Sequence, residues 1–294
     1  MNVENERLNT RAALLNLLTA ILWGGNSVSI KLGLSGIPPL CLAGMRFLLG
    51  GLVVYIWTRP LKIDLKLKSN ERRGIVGLIF IFLAQIYLLN AGTDYTLASR
   101  STIFISAYPF FTASFAHIFI PGDKISTRKM IGMVLSFLGV ILIFAESLSL
   151  GKLQHLLGDT LVLASAALLG ARQVYLKRLV QNIHPGKVLI WQSAPSVPIF
   201  FLFSALFETQ TIQLDIPVLS AVLYQGLVVA GFCFILLTSL LKRYSASRLS
   251  VFGFITPIVG VVVSNLLLGD PISPAILLSL ALVGIGITIV NTSQ

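Results

Sequence analysis

The chain has 294 residues, of which 55% are hydrophobic and 11% charged, and its mean hydropathy is +0.89. A water-soluble domain carries about 25% charged residues, so the composition excludes a soluble globular fold. Cys41 and Cys233 both lie inside apolar runs and form neither a disulfide framework nor a metal-binding spacing.

Apolar runs long enough to cross a hydrocarbon layer of about 30 Å as helices recur from end to end. The first covers 12–34, directly after Arg11. Trp23-Gly24-Gly25-Asn26 makes a poor cleavage region and the run continues to Leu34, so it reads as a retained helix rather than a leader. Runs at 39–57, 74–90, 97–119 and 130–144 follow. After the break at ESLSLGKLQH come 157–176, 188–207, 217–241, 247–268 and 275–290. The connections are short, and the expected fold is an all-α polytopic membrane protein with ten transmembrane helices.

Charge orients the set. With the N terminus in the cytoplasm, the inward segments hold seventeen lysines and arginines, among them Arg59, Lys62, Lys66, Lys68, Arg72 and Arg73. The outward ones hold only Lys31, Arg100 and Lys152. This positive-inside bias predicts that both termini are cytoplasmic. It also accounts for the net charge of +11, which on a soluble protein would point to nucleic acid. No nucleic-acid partner is expected.

The chain repeats itself. ASRSTIFISAYP, from Ala98 to Pro109, is echoed 148 positions later by ASRLSVFGFITP, from Ala246 to Pro257. Gly24 and Lys31 match Gly170 and Lys177 at a spacing of 146, and Gly122-Asp123 matches Gly269-Asp270 at 147. The units, 12–144 and 157–290, hold five spans each. An odd number inverts the second unit, a plan of secondary transporters that puts the substrate site between the halves. Nine residues of helix carry the chain about 14 Å from Arg100 to Pro109, and again from Arg248 to Pro257, which brings each proline near the bilayer midplane. Each proline removes the helical partner of a carbonyl, that of Ile105 or Gly253. Pro109, Pro257, Arg100 and Arg248 are therefore candidates for kinking and gating, with simple packing kinks as the alternative.

Polar groups at membrane depth mark the remaining candidates. Trp23 and Asn26 lie in the first span, Gln85 and Tyr87 in the third, and Tyr108 in the fourth. Gln173 and Tyr175 lie in the sixth, Tyr224 and Gln225 in the eighth, and Thr256 in the ninth. Each could equally make an interhelical hydrogen bond, but their clustering predicts a polar and aromatic cavity among those six spans. Spans five and ten, with little beyond Ser136, Ser279 and Thr288, should pack outside it. Arg46 reads as a snorkelling or carbonyl-bonded residue, with contact to an anionic solute as the alternative. Arg172, near Lys177, should snorkel to the cytoplasmic face. Every Asp and Glu falls in a tail, a loop or the end of a span, so a mid-membrane proton relay is not expected. There is no P-loop, no metal or catalytic constellation and no expected cofactor.

Five stretches carry a resemblance: AILWGGNSVSIKLGL, AGMRFLLGGLVV, ASRSTIFISAYPFFTASFA and LGVILIF, and in the second half SASRLSVFGFITPIVGVVVSNLLLGDPIS. Together they resemble the EamA family of the drug/metabolite transporter superfamily over nearly the whole chain. Asp123 and Asp270 stand in loops that the family often closes with Glu. The resemblance implies ten helices in two inverted halves and outward movement of amino acids, metabolites or toxic compounds. The expectation is a transporter, most readily an exporter, of amino acids or related small solutes by alternating access. It would sit in the bacterial cytoplasmic membrane as a monomer or weak homodimer, with the bilayer and the solute as partners. The alternative is a membrane-embedded enzyme acting on lipid or a small hydrophobic substrate.

Overall fold

The computed structural model describes residue 6 and residues 8–123, 125–149, 153–209 and 212–291. Lys124 and Lys152 lie outside them, as do the side chains of Ser136 and Thr288. The described chain is helical: α1 (Thr10–Gly24), α2 (Asn26–Leu34), α3 (Pro39–Thr58), α4 (Ser69–Tyr95), α5 (Ala98–Ile105), α6 (Tyr108–Phe119) and α7 (Thr127–Ser149) make the first half. The second contains α8 (Leu153–Leu179), α9 (Pro185–Phe207), α10 (Ile216–Leu223), a π-helical segment (Tyr224–Cys233), α11 (Phe234–Arg243), α12 (Ala246–Val251), a 3-10 turn (Phe252–Phe254), α13 (Ile255–Leu268) and α14 (Pro274–Asn291).

Among the described residues, seven stretches are long and apolar enough to cross a membrane: Thr10–Leu34, Pro39–Thr58, Ser69–Tyr95, Ala98–Phe119, Pro185–Phe207, Ile216–Arg243 and Ala246–Leu268. Helices α7 and α14 carry shorter apolar cores. Helix α8 is polar for a different reason. It holds Asp159, Arg172 and Lys177, all buried against other helices rather than facing lipid.

Helix ends follow local chemistry. The Asn9 side chain accepts the Ala12 N–H at 2.8 Å, Asp215 accepts that of Val218 at 2.8 Å, and Pro39 and Pro185 open their helices. Gly122 (φ 83°) and Gly269 (φ 69°) take left-handed conformations in the turns after α6 and α13, which a side chain disfavours. Lys31 caps the end of α4, its Nζ donating to the Thr93 and Asp94 carbonyls at 3.1 and 2.7 Å. Lys177 does the same after α11, donating to the Tyr244 carbonyl at 2.9 Å.

The two halves share one interior. Helix α7 packs along α14, α3 along α9, and α4 and α6 along α8, while α1 crosses α13. Close approach at that last crossing depends on glycine. A Cβ on Gly260 would lie 2.2 Å from Thr102 Cγ2 and 2.9 Å from the Gly24 carbonyl oxygen. Phe47, Phe82, Phe200 and Phe234 form a second cluster, with the Phe47 and Phe82 rings 4.6 Å apart.

Gly260→Leu should therefore destabilise the protein by about 1–3 kcal/mol through overpacking, read as a lower melting temperature in detergent. Gly51→Ala, whose new Cβ meets Ser193 Cβ at 3.5 Å, should melt no earlier than the parent.

A pH effect is expected at α9. His184 Nδ1 accepts the Gly186 N–H at 3.1 Å, which requires an unprotonated nitrogen, and partial burial followed by the Lys242 charge lowers its pKa from 6.5. Its contribution is present above that value and is lost as pH falls through the lowered folded-state value. The drop in melting temperature between pH 8 and pH 5 should shrink in His184→Asn, whose amide can still cap.

Candidate functional site

The breaks in the helices assemble the site. Span four is interrupted at Ser106-Ala107, two residues before Pro109, which becomes an opening residue of α6. The turn lies N-terminal to the proline because the ring obstructs the preceding turn of helix. Span nine is broken by the 3-10 turn before Pro257. The two breaks meet, since a Cβ on Gly253 would lie 2.0 Å from the Tyr108 hydroxyl oxygen. Span one breaks at Gly25, beside the Tyr224 ring, and the Tyr224 hydroxyl donates to the Leu22 carbonyl.

A narrow cavity of about 50 Å³ lies among these breaks, lined by Trp23, Asn26, Ser27, Arg46, Gln85, Ile86, Leu89, Ile105, Ser106, Tyr108, Leu169, Arg172, Phe234 and Thr256. Its walls come from α1, α2, α3, α4, α5, α6, α8, α11 and α13; α7 and α14 contribute none.

Five of the expected solute-contacting residues, Trp23, Asn26, Gln85, Tyr108 and Thr256, are brought together there. Five are not. Tyr87 is 47% exposed and lines an apolar groove with Leu83, Phe200, Phe203 and Phe207. Tyr175 lines a separate polar recess with Lys68, Glu71 and Arg178. Tyr224 bonds the α1 backbone, Gln225 Nε2 donates to the Ser29 carbonyl at 2.8 Å, and Gln173 is buried away from the cavity.

The arginines depart most from expectation. Arg172 does not snorkel: it is 5% exposed and lines the cavity, its Nη1 donating to Gln85 Oε1 at 3.1 Å. Its guanidinium lies over Phe234 at 4.7 Å and Phe82 at 5.1 Å. Gln85 is itself fixed, since its Nε2 donates to Ser165 Oγ at 3.0 Å and Ser165 Oγ donates back to the Gln85 carbonyl at 2.8 Å. Arg46, 2% exposed, lines the same cavity from α3 over the Phe47 ring. Sequence reasoning gave contact with an anionic solute only as the alternative for Arg46 and sent Arg172 to the surface, because depth within a helix does not say which face points inward.

Arg100 is likewise buried. Its Nη2 meets Asp159 Oδ2 at 2.7 Å, and Thr96 Oγ1 donates to Asp159 Oδ1 at 2.8 Å. Arg248, at the equivalent place, is half-buried and reaches the Glu6 carbonyl at 3.5 Å. The two loop aspartates act across the halves. Asp270 accepts the Ser99 N–H at 2.9 Å at the start of α5, and also the Ser264 hydroxyl. Asp123 accepts the Ser245 hydroxyl at 2.6 Å, the Ser247 hydroxyl and the Ser247 N–H at 3.4 Å, at the start of α12. Each carboxylate thus holds the N-terminus of a helix in the opposite half. Tyr244 is buried, with its hydroxyl accepting from Asn9 Nδ2 at 3.2 Å.

The model of the EamA-like transporter family matches residues 10–145 and again 156–292. The chain belongs to the EamA-like transporter family. It is a multi-pass membrane protein. It is 28% identical over 290 residues to the uncharacterized transporter YvbV of Bacillus subtilis, covering 97% of this chain and 93% of that one. It is 28% identical over 276 residues to a "Probable amino-acid metabolite efflux pump" of Salmonella typhimurium, covering 90% of each, and 27% identical over 292 residues to a protein of the same description from Escherichia coli, covering 96% and 95%. A crystal structure at 16% identity superposes with a TM-score of 0.78 over 97% of this chain and 99% of its own, a likeness of fold alone. In this EamA-like chain the loop aspartates thus take a defined structural place.

Removing one member of a buried ion pair strands the other, at about 3–5 kcal/mol. Asp159→Leu and Arg100→Met should each lower the melting temperature in detergent well below the parent. The double variant should melt above both singles, and a cycle lacking that recovery would contradict strong coupling between the two.

Proposed function

We propose that this chain carries small organic solutes, of the class of amino acids and related metabolites, outward across the cell membrane by alternating access through the central cavity. Ten membrane-crossing helices in two inverted units, 12–144 and 157–290, form the carrier, with both termini in the cytoplasm. The observation that carries the reading is the cavity itself. It lies where the breaks of spans one, four and nine converge, and its lining is polar on some sides and aromatic on others. Such irregular backbone inside a membrane protein is tolerated where it lines a cavity.

Paired features support the inverted arrangement. The family model matches twice. Lys31 and Lys177 cap the ends of α4 and α11, and Asp123 and Asp270 cap α12 and α5. The basic residues concentrated in alternate connections support the orientation. Efflux as the direction, and amino-acid metabolites as the class, come from the names of the Salmonella and Escherichia relatives. A transporter rather than an enzyme is supported by the family match and by the names of the relatives; the cavity lining holds no Asp, Glu, His or Cys.

The same lining favours exchange or facilitated diffusion over proton coupling, which needs a titratable group reached from both sides in turn. Counterflow in proteoliposomes tests the function: saturable exchange is expected for at least one class in a panel of amino acids, nucleosides, sugars and organic acids, and none for any class would overturn it. With equal solute on both sides, an imposed pH gradient should produce no accumulation. Accumulation abolished by a protonophore would refute the uncoupled reading.

A further inference from the structure

Among the described residues, the other buried cations are met by the protein. Arg100 has Asp159 at 2.7 Å, Lys187 has Glu71 at 2.7 Å, and Lys177 has the Tyr244 carbonyl at 2.9 Å. Arg46 and Arg172 are different. Both line one cavity, and no carboxylate lines it with them. The Nε and Nη1 of Arg46 and the Nε of Arg172 are buried without a hydrogen-bond partner. Arg172 is nevertheless held in position, one edge on Gln85 and its faces on Phe82 and Phe234.

The buried carboxylates that could have balanced them are committed elsewhere: Asp159 to Arg100 and Thr96, Asp123 to Ser245 and Ser247, Asp270 to Ser99 and Ser264. A guanidinium does not shed its proton in a protein. Two such charges in a low-dielectric site repel each other and keep several donors unsatisfied. A bound anion would cancel the repulsion and fill the donors, and the planar fork of arginine suits the oxygens of a carboxylate or phosphate.

Charge balance decides among solutes. With a zwitterion the pair would remain at two positive charges, and with a cation it would reach three. A dianion brings the site to neutrality. Trp23, Ile86, Leu89, Leu169 and Phe234 supply an apolar wall for a carbon skeleton. We infer that the cavity selects small organic dianions, gripped by Arg46 and Arg172. This rests on the reading of the cavity as the solute site, and it sharpens the solute class from amino acids in general to those solutes and their derivatives that carry two negative charges.

The test is direct binding to the purified full-length protein in detergent, independent of any transport assay. Succinate and phthalate serve as dicarboxylates, glycerol 3-phosphate as a phosphate monoester, leucine as a zwitterion, chloride as an inorganic anion and a cationic dye as the opposite charge. Binding is followed by quenching of tryptophan fluorescence, since Trp23 lines the cavity, and by the shift in melting temperature. At least one dianion should bind about tenfold or more tightly than leucine, chloride and the dye. Whether dicarboxylate or phosphate ranks first identifies the preferred headgroup. Arg46→Gln and Arg172→Gln should each weaken the dianion about tenfold, and more than they weaken leucine, and the corresponding Lys variants should recover part of the loss.

Leucine, chloride or the dye binding as tightly as every dianion would overturn the inference, and that ranking on the parent protein needs no variant to fold. Equally, dianion affinity unchanged in both Gln variants would overturn it. Exchange of leucine in vesicles together with failure of every dianion to bind would leave the transport reading intact and remove this one. Dianion binding without exchange of any solute would do the reverse.

Discussion

The constraint on which this structure depends is that a charge within a membrane-spanning bundle must be met inside the protein. Asp159 is buried in α8, and the Arg100 guanidinium from α5 closes on it. That pair fixes α8 to α5 near the point where the first half ends and the second begins. Lys31 and Lys177 meet the same demand with backbone carbonyls, and so tie α2 to α4 and α8 to α11. Much of the packing between helices can be read as the answer to where each polar group finds its partner.

The loop aspartates extend that logic between halves. A carboxylate at a helix N-terminus is favoured by the free N–H groups and the macrodipole, and here each helix capped in this way belongs to the other half of the chain. The left-handed glycines just before them let the turn deliver the carboxylate. Such a cap is short-range and directional, so it holds firmly in one arrangement and is lost when the helix ends separate. In an alternating-access carrier, as proposed here, contacts of this kind are suited to hold one state closed.

Against this background the two cavity arginines stand out as the charges the fold leaves to something else. Their surroundings are ordered rather than loose: Gln85, Ser165 and the phenylalanine cluster hold Arg172 in a fixed place. An immobile, unneutralised guanidinium costs stability in the empty protein and gains it back when an anion arrives. That difference between empty and occupied states is what a binding site needs.

The sequence by itself determined the membrane-spanning helical class, the positions of the helices to within a few residues, and the family, because each of these depends on local hydropathy, charge and motif. Residues such as Trp23, Tyr108 and Thr256 could be placed in a cavity from the clustering of polar groups among spans. What only the tertiary structure decided was direction and partnership. Tyr87 and Gln85 are two residues apart on one helix, yet one faces an outside groove and the other the cavity, because a rotation of about 200° separates them. Arg172 reads as a surface-seeking residue from its neighbour Lys177, but the packing of α8 against α4 turns it inward. The break at Ser106-Ala107 is signalled by Pro109, but the break at Gly25 and the π-helical stretch of span eight carry no strong local signal. They are set by which helix crosses there and how closely, and that is a property of the assembled bundle, since a crossing distance belongs to two segments far apart in the chain.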